Sequence, residues 1–294
     1  PMTQNRVIKF DSKETILKKA RSYVESVDTL FDESDRAIPL LLKALKLADR
    51  HFKREIMLLL GSFAKDAVVW PLYDLMTDSS ETEEIRHDAA IQLSVIGPFL
   101  NNPQALANRL QEEIESSDAD RRFHATFAMG WRGNFQSAIS LIERLYDSDD
   151  RVQQTAVNAL CNLSDDRVLD LLLDRLANGP LPQKRIILFN LWRFHANEEK
   201  VAQVYLEYLE HEDPDLRFDA LVCLQPLNRK LIDTYRKCLD DKDCRIRELA
   251  LKRLTEEAQV SALKSFRAEI TSLLTDSDKN VKKAAMELLK KMRT

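Results

Sequence analysis

Apolar residues recur along this chain at helical spacing, in runs that come in pairs. The runs 138–145, 168–176 and 201–209 place apolar residues at positions i, i+3, i+4 and i+7. This spacing predicts an amphipathic helix with one buried face. Each such run begins about 15 to 20 residues before the middle of a second amphipathic run. We call the first member of each pair helix A and the second helix B, so the pattern predicts a series of helical hairpins.

Helix B carries a recurring string, and this repeat is the main signal in the sequence. The string has an apolar residue, then Arg or Lys, two variable positions, a small residue and an apolar residue four places later. The small position, called the slot, is occupied by Ile56, Ala89, Ala125, Ala156, Ile187, Ala220, Ala250 and Ala285. The slots lie 30 to 36 residues apart, which is the period of a helical repeat and far too long for a coiled coil. We number these copies 1 to 8.

Acidic turns separate helix A from helix B in most copies. They contain Asp147, Asp149 and Asp150; Asp213 and Asp215; Asp240, Asp241 and Asp243; and Asp276 and Asp278. Aspartate accepts backbone N–H bonds at a helix N-terminus and suits the positive end of the helix dipole. Copy 5 instead has Asn178-Gly179-Pro180, a helix stop followed by a turn. A lone hairpin cannot bury both of its faces, so the units are expected to stack.

Composition narrows the function classes. The 5 glycines and 9 prolines are too few for an all-β protein or for glycine-rich phosphate loops. A net charge of −4 does not suit a general binder of polyanions. The four cysteines have no metal-ligand spacing and are interpreted as reduced thiols of a cytoplasmic protein. No apolar run is long enough for a membrane span or a signal region, and we expect Met2, after Pro1, to be the natural start.

The strings of the form D-x-x-[VI]-R-x-x-A-x-x-x-L resemble the HEAT-repeat superfamily, and most of all its short, phycobilisome-lyase-type repeats. The best copies begin at Val152, Leu216, Ile246 and Val281. The resemblance implies an all-α fold, a right-handed α-solenoid of about eight HEAT-like hairpins over residues 36–294 as a single domain. Residues 1–35 are expected to form an N-terminal capping segment with one helix over 11–31. Helices A and B should each have roughly 10 to 15 residues.

A partner-binding surface is predicted on the B helices, which in this superfamily line the concave side. At 100° per residue, positions −2, +2 and +6 from the slot point away from the core. The predicted surface comprises Phe123, Phe127, Trp131, Arg185, Phe189, Trp192, Arg193 and Phe218. An exposed aromatic stripe usually marks a binding surface. Two alternatives stay open: the aromatic residues pack between adjacent B helices, or they mediate self-association.

The basic residues on helix B are interpreted as structural residues before they are considered as a binding surface. Lys or Arg stands three residues before the slot in seven of the eight copies: Lys53, Arg86, Arg122, Lys184, Arg217, Arg247 and Lys282. We expect them to bridge to turn aspartates of neighbouring copies. Because these residues supply most of the positive charge of helix B, nucleic acid is a weakly supported partner and a protein the favoured one.

Catalytic signatures were sought because some HEAT-like proteins are enzymes. The di-iron hydroxylases of this superfamily use repeated His-Glu pairs, whereas this chain has only His211-Glu212, and it has no HExxH or GxxxxGK[ST] string. No metal or cofactor is therefore expected. His87 and His124 hold neighbouring positions in adjacent copies and are interpreted as a pair of surface polar residues.

The predicted function is a non-catalytic protein–protein interaction scaffold of the cytoplasm. The alternative is a nucleic-acid-binding enzyme that resembles alkylpurine DNA glycosylases, or a bilin lyase subunit. For the glycosylase alternative, Phe123, Trp131, Trp192 and Arg185 would line a cleft and Asp219 would supply its carboxylate.

Overall fold

The structure is a computed structural model that describes residues 11–130, 135–163, 165–194, 197–224, 227 and 231–293. Over these residues the chain forms α-helices joined by turns and short 3-10 segments, with no β-strand, which confirms the all-α class. Among the helices in these ranges, none combines the length and the apolar character that crossing a bilayer requires.

The helices divide between two compact units, one ending at Leu163 and the other following it. The first unit contains α1 (Lys13–Glu25), α2 (Val27–Asp32), α3 (Ser34–Leu45), α4 (Arg50–Leu60), α5 (Asp66–Thr77), α6 (Glu83–Ile96), α7 (Pro103–Glu113), α8 (Ala119–Gly130), α9 (Phe135–Arg144) and α10 (Asp150–Leu163). The second contains α11 (Asp166–Asn178), α12 (Leu181–Asn190), α13 (Glu198–Tyr208), α14 (Pro214–Leu224), α15 (Ile232–Cys238), α16 (Cys244–Glu257), α17 (Val260–Leu263), α18 (Arg267–Ser272) and α19 (Lys279–Lys291).

The slot residues confirm the register of the repeat. Every slot lies in a B helix, namely α4, α6, α8, α10, α12, α14, α16 or α19, and each slot side chain is at most 2% exposed. In the first unit α4, α6, α8 and α10 pack on one another in succession, and in the second α12, α14, α16 and α19 do so. Each unit is thus a stack of helical hairpins, the architecture of an α-solenoid.

The turns are built as their composition predicts. Asp243 and Asp278 cap α16 and α19, where their carboxylates accept backbone N–H bonds from the first turn. Asp149 accepts the N–H of Arg151 at the start of α10 in the same way. In copy 5, α11 ends at Asn178 and Gly179 follows as its C-cap.

Two expectations about helix lengths were wrong. The N-terminal segment forms α1 and α2 instead of one helix, because the backbone leaves the helical conformation at Ser26. Helix A is also short at the end of the chain, where α15 has 7 residues and the last A helix is split into α17 and α18 by a 3-10 turn. Leu263, Phe266 and Ile270 still bury their side chains in this broken segment, so packing is kept without a continuous helix.

Candidate protein-binding surface

Arginines three residues before the slot join successive copies, as the sequence predicts. In the first unit, the guanidinium of Arg122 donates to both carboxylate oxygens of Asp147 at 2.9 Å and to the carbonyl oxygens of Ser116 and Ser117. Arg122 thereby bonds the carbonyl groups of its own turn and also fixes the turn of the next copy. The carboxyl of Asp147 is buried, which opposes ionisation, but its bonds from Arg122 and from a backbone N–H lower its pKa.

The second unit repeats this geometry. Arg217 donates to both oxygens of Asp241 at 2.9 Å, and Arg247 donates to both oxygens of Asp276 at 2.8 Å. Each arginine also donates to two carbonyls of its own turn. In the first unit, Lys53 pairs with Glu81. These residues serve the stacking of the repeats and are therefore not available as a basic surface.

The aromatic residues of copy 3 lie half-buried against copy 2. The ring of Phe123 stacks on the imidazole of His87 with a centroid distance of 5.6 Å and an interplanar angle of 1°. Phe127 meets the same imidazole edge-on at 4.8 Å. The guanidinium of Arg151, from copy 4, lies 5.1 Å from the centroid of Phe123. Phe123 is therefore packed between neighbouring copies, which is the alternative stated above for these side chains.

Ion pairs hold Arg151 in place. It bonds to Asp120 of copy 3 at 2.8 Å and to Asp149 at the start of its own helix. The bond from Arg151 lowers the pKa of the Asp120 carboxyl. A cation over an aromatic face adds attraction to this contact.

The second unit builds the same cover over Phe218. The guanidinium of Arg245 lies 5.3 Å from the centroid of Phe218 and bonds to Asp215 of copy 6 and Asp243 of its own turn. Phe218 and Phe123 hold the same position, two residues before the slot. Phe218 is likewise half-buried between copies.

Among the predicted site residues that the structure describes, Phe189 is the most exposed. Its side chain is 52% exposed at the end of α12, two residues after the slot. Trp192 follows in a 3-10 turn over Leu191–Arg193 and is half-buried. The fully buried Tyr205 fixes this turn, because its hydroxyl donates to the carbonyl of Leu188 and accepts the N–H of Trp192.

Arg185 and Asp219, both named for the glycosylase alternative, bond to each other. The guanidinium of Arg185 donates to both carboxylate oxygens of Asp219 at 2.7 and 3.0 Å and lies 3.6 Å from Asp215. Asp219 is buried and engaged in this pair. Arg193 is half-buried, and Trp131 lies outside the described residues.

The structure adds apolar residues in copies 1 and 2 that the predicted site left out. Leu58, two residues after its slot, is 65% exposed, and Val95 is 40% exposed. Leu58 borders a cleft of about 290 Å³ with Arg54 and Gln92. The outward position of Leu58 follows from the repeat register, but its exposure depends on which side chains of the adjacent copy reach it, which the register does not state.

The interpretation of His87 and His124 as a surface pair was wrong in one respect. Their rings do approach, with centroids 5.8 Å apart. However, His124 is completely buried. Burial, with Arg86 and His87 nearby, lowers its pKa to about 4.

Within the described ranges, few side chains are arranged as metal ligands or activated as nucleophiles. These residues hold no cluster of three or more His, Cys, Asp or Glu side chains arranged for a metal ion. Burial raises the pKa of the Cys223 and Cys238 thiols to about 12, so both stay protonated and are poor nucleophiles. A cavity of about 250 Å³ lies among Leu93, Leu106, Leu110 and Met129 in the first unit, away from these groups.

Comparison with known proteins supports the repeat assignment. A family model described as HEAT repeats matches residues 105–192. This part of the chain is therefore similar to HEAT repeats, as its recurring strings predict. No curated protein matches the sequence.

Solved structures resemble the chain at low identity. An engineered protein matches with 17% identity and a TM-score of 0.38, covering 98% of this chain and 87% of its own. A mutant of Kap121p matches with 12% identity and a TM-score of 0.46, covering 96% of this chain. A homology model of the AP-3 complex in an intermediate open conformation matches with 16% identity and a TM-score of 0.47, covering 94%. This chain spans 40% of the Kap121p chain and 55% of the AP-3 chain.

Proposed function

We propose that this protein is a non-catalytic interaction scaffold of the cytoplasm that binds a protein partner through its B-helix face. That face comprises the outward residues of the B helices, and the resemblance to HEAT-like proteins implies that it is concave. The observation that carries the proposal is the exposure of Phe189 and Leu58, at 52% and 65%. Large apolar side chains at one repeat position suit the anchors of a protein interface.

The charges beside these residues favour a protein over a nucleic acid. Arg54 bonds to Asp88, and Arg185 bonds to Asp219 and approaches Asp215. Because each of these guanidinium groups already faces a carboxylate, neither offers a free cation to a phosphate backbone. Affinity for nucleic acid depends mostly on such free cations.

The residues of the proposed surface have different roles. Phe189 and Leu58 serve as anchors, and the half-buried Phe127 and Trp192 add partly exposed aromatic surface. Phe123, Phe218 and Arg185 position the helices, since they pack or pair between copies. Trp131 and Arg193 remain members of the proposed surface by their place in the repeat.

The test uses photo-crosslinking from defined positions in cells. A photoreactive residue at Phe189 or Leu58 should capture one discrete protein, whereas the same residue at Ile139, which is 55% exposed on helix α9, should not. With the captured partner purified, Phe189→Ala should weaken binding by about 30-fold or more, the loss typical of an interface anchor.

A matched stability control separates binding from folding. Leu160→Ala, in the core of α10, should cost roughly 2–5 kcal/mol of unfolding free energy, whereas Phe189→Ala should cost much less. Equal crosslinking from Ile139 and Phe189, or a Phe189→Ala variant as unstable as Leu160→Ala, would contradict the proposed surface.

A further inference from the structure

A pair of histidines occupies a position where two other pairs of copies have an ion pair. The residue two before the slot meets the residue one before the slot in the next copy. Between copies 1 and 2 these are Arg54 and Asp88, and between copies 5 and 6 they are Arg185 and Asp219. Between copies 2 and 3 they are His87 and His124. The contact between α6 and α8 therefore has two imidazole rings where these two other contacts have opposite charges.

His124 is enclosed without a hydrogen-bond partner among the described residues. Its side chain is 0% exposed, and neither Nδ1 nor Nε2 has a partner. The Nδ1 atom of His87 and the Nη2 atom of Arg86 are likewise buried without a hydrogen-bond partner in the described part of the chain. A buried polar atom without a partner costs free energy, and such atoms are rare in native proteins.

The charged groups around His124 disfavour its protonated form. From α6 it faces Arg86 and His87, from its own helix Asp120, and from α10 Arg151. The carboxylate of Asp120 is the one favourable charge in this set, and it already bonds to Arg151 and lies 3.7 Å from Arg86.

Two charged groups on the other helices that pack on α8 are engaged elsewhere. Glu113 of α7 bonds to Arg121 and to Tyr73 of α5. Arg144 of α9 bonds to the carbonyl of Ile114.

We propose that the His87–His124 contact is an acid-sensitive latch between copies 2 and 3. When His124 is neutral, the two rings pack α6 against α8, and the rings of Phe123 and Phe127 lie on His87. When His124 takes up a proton, its positive charge is enclosed next to Arg86 and Arg151, so the ring leaves the contact and α6 separates from α8. The latch acts whether or not a partner binds the B-helix face.

The direction of the pH effect follows from the lowered pKa. His124 has a pKa of about 4 in the closed state, against 6.5 for a solvated histidine. The closed contact is therefore fully stable above pH 6.5 and weakens as the pH falls from 6.5 towards 4, with no further loss from this residue below 4. This difference raises the opening equilibrium by about 30-fold between pH 7.5 and pH 5.

The experiment is hydrogen exchange of the whole chain at pH 7.5 and pH 5, with intrinsic rates corrected for pH. Peptides of α6 and α8 should gain about 30-fold in opening, while those of α16 and α19 should change much less. The first comparison variant is His87→Arg/His124→Asp, which installs the residues found in the two other contacts. The second is His124→Leu, which removes the titratable group. It serves as the comparison if the arginine–aspartate variant fails to fold.

The outcomes decide the proposal. Wild-type opening that rises with acid, together with less than about 3-fold change in either variant, supports the latch. Opening of α6 and α8 that stays constant between the two pH values overturns it. An acid response that persists in full in His124→Leu also overturns it, because other groups would then be responsible.

Discussion

Gly130 offers a sharp test of how closely successive B helices approach. It is buried at the end of α8, and a Cβ atom placed on it would lie 2.1 Å from the Cβ and 2.9 Å from the Cα of Ala159 in α10. Carbon atoms pack at about 3.5–4.0 Å, so the two backbones would have to separate. We expect Gly130→Ala to destabilise the protein.

The magnitude follows from two opposing effects. Overpacking of this kind costs about 1–3 kcal/mol. Replacing glycine by alanine in a helix returns roughly 0.5–1 kcal/mol. The expected net loss is about 1–2 kcal/mol of unfolding free energy, measured by urea unfolding followed by circular dichroism.

Gly61 provides the matched control, because it holds the same repeat position at the end of α4. A Cβ atom there would meet the Oε1, Cδ and Cγ atoms of Gln92, at 1.8, 2.7 and 3.2 Å. Gln92 is half-buried and ends in a flexible group that can rotate away. Gly61→Ala should therefore stay within about 0.5 kcal/mol of wild type.

A second change should restore part of the loss. In Gly130→Ala/Ala159→Gly the contact at 2.1 Å is removed, while the contact with the Cα of residue 159 remains, so recovery should be partial. If Gly130→Ala is as stable as Gly61→Ala, α8 and α10 do not approach each other as closely as this contact requires.

Three further changes test other contacts by the same unfolding assay. Ala220→Leu should cost about 1–3 kcal/mol, since Ala220 is completely buried in α14; unchanged stability would contradict the register of the repeat. Tyr205→Phe should cost roughly 1–3 kcal/mol, because the N–H of Trp192 loses the hydroxyl oxygen that accepts its hydrogen bond. No loss would mean that another group caps this turn. Arg247→Ala should cost roughly 3 kcal/mol, because it leaves the Asp276 carboxylate, whose side chain is 7% exposed, without its guanidinium partner; a loss below 1 kcal/mol would mean that this carboxylate is well solvated.

Acid should weaken the ladder of turn aspartates separately from His124. The pKa of Asp276 is lowered first by its bonds from Arg247. Its contribution is therefore complete above the ordinary aspartate value near 4 and is lost as the pH falls below it. In Asp276→Asn, the fall in stability between pH 5 and pH 3 should become shallower, and an unchanged slope would exclude this carboxyl from acid unfolding.

Local rules were enough to predict the repeat and its ladder. The slot residue recurs every 30 to 36 positions, and an arginine or lysine stands three places before seven of the eight slots, so the helical period gives their places in the B helices directly. The bonds from Arg122 to Asp147 and from Arg217 to Asp241 were expected for the same reason. Turn aspartates cap helices by short-range hydrogen bonds, which need no knowledge of distant residues.

The exposure of the aromatic residues was not open to this kind of prediction. Phe123, Phe189 and Phe218 all point outward from their slots, yet only Phe189 is largely exposed. The difference comes from the next copy, which sends Arg151 over Phe123 and Arg245 over Phe218. Whether a neighbour covers a ring depends on side chains about 30 residues away.

The sequence by itself determined the class of fold, the register of each B helix and the residues that join the copies. The tertiary structure alone decided that His124 is enclosed, that Asp219 is occupied by Arg185 and that Leu58 is open to solvent. The physical reason is that helical periodicity fixes the direction of a side chain, whereas its burial and its charge partners depend on what the adjacent copy brings to the same place.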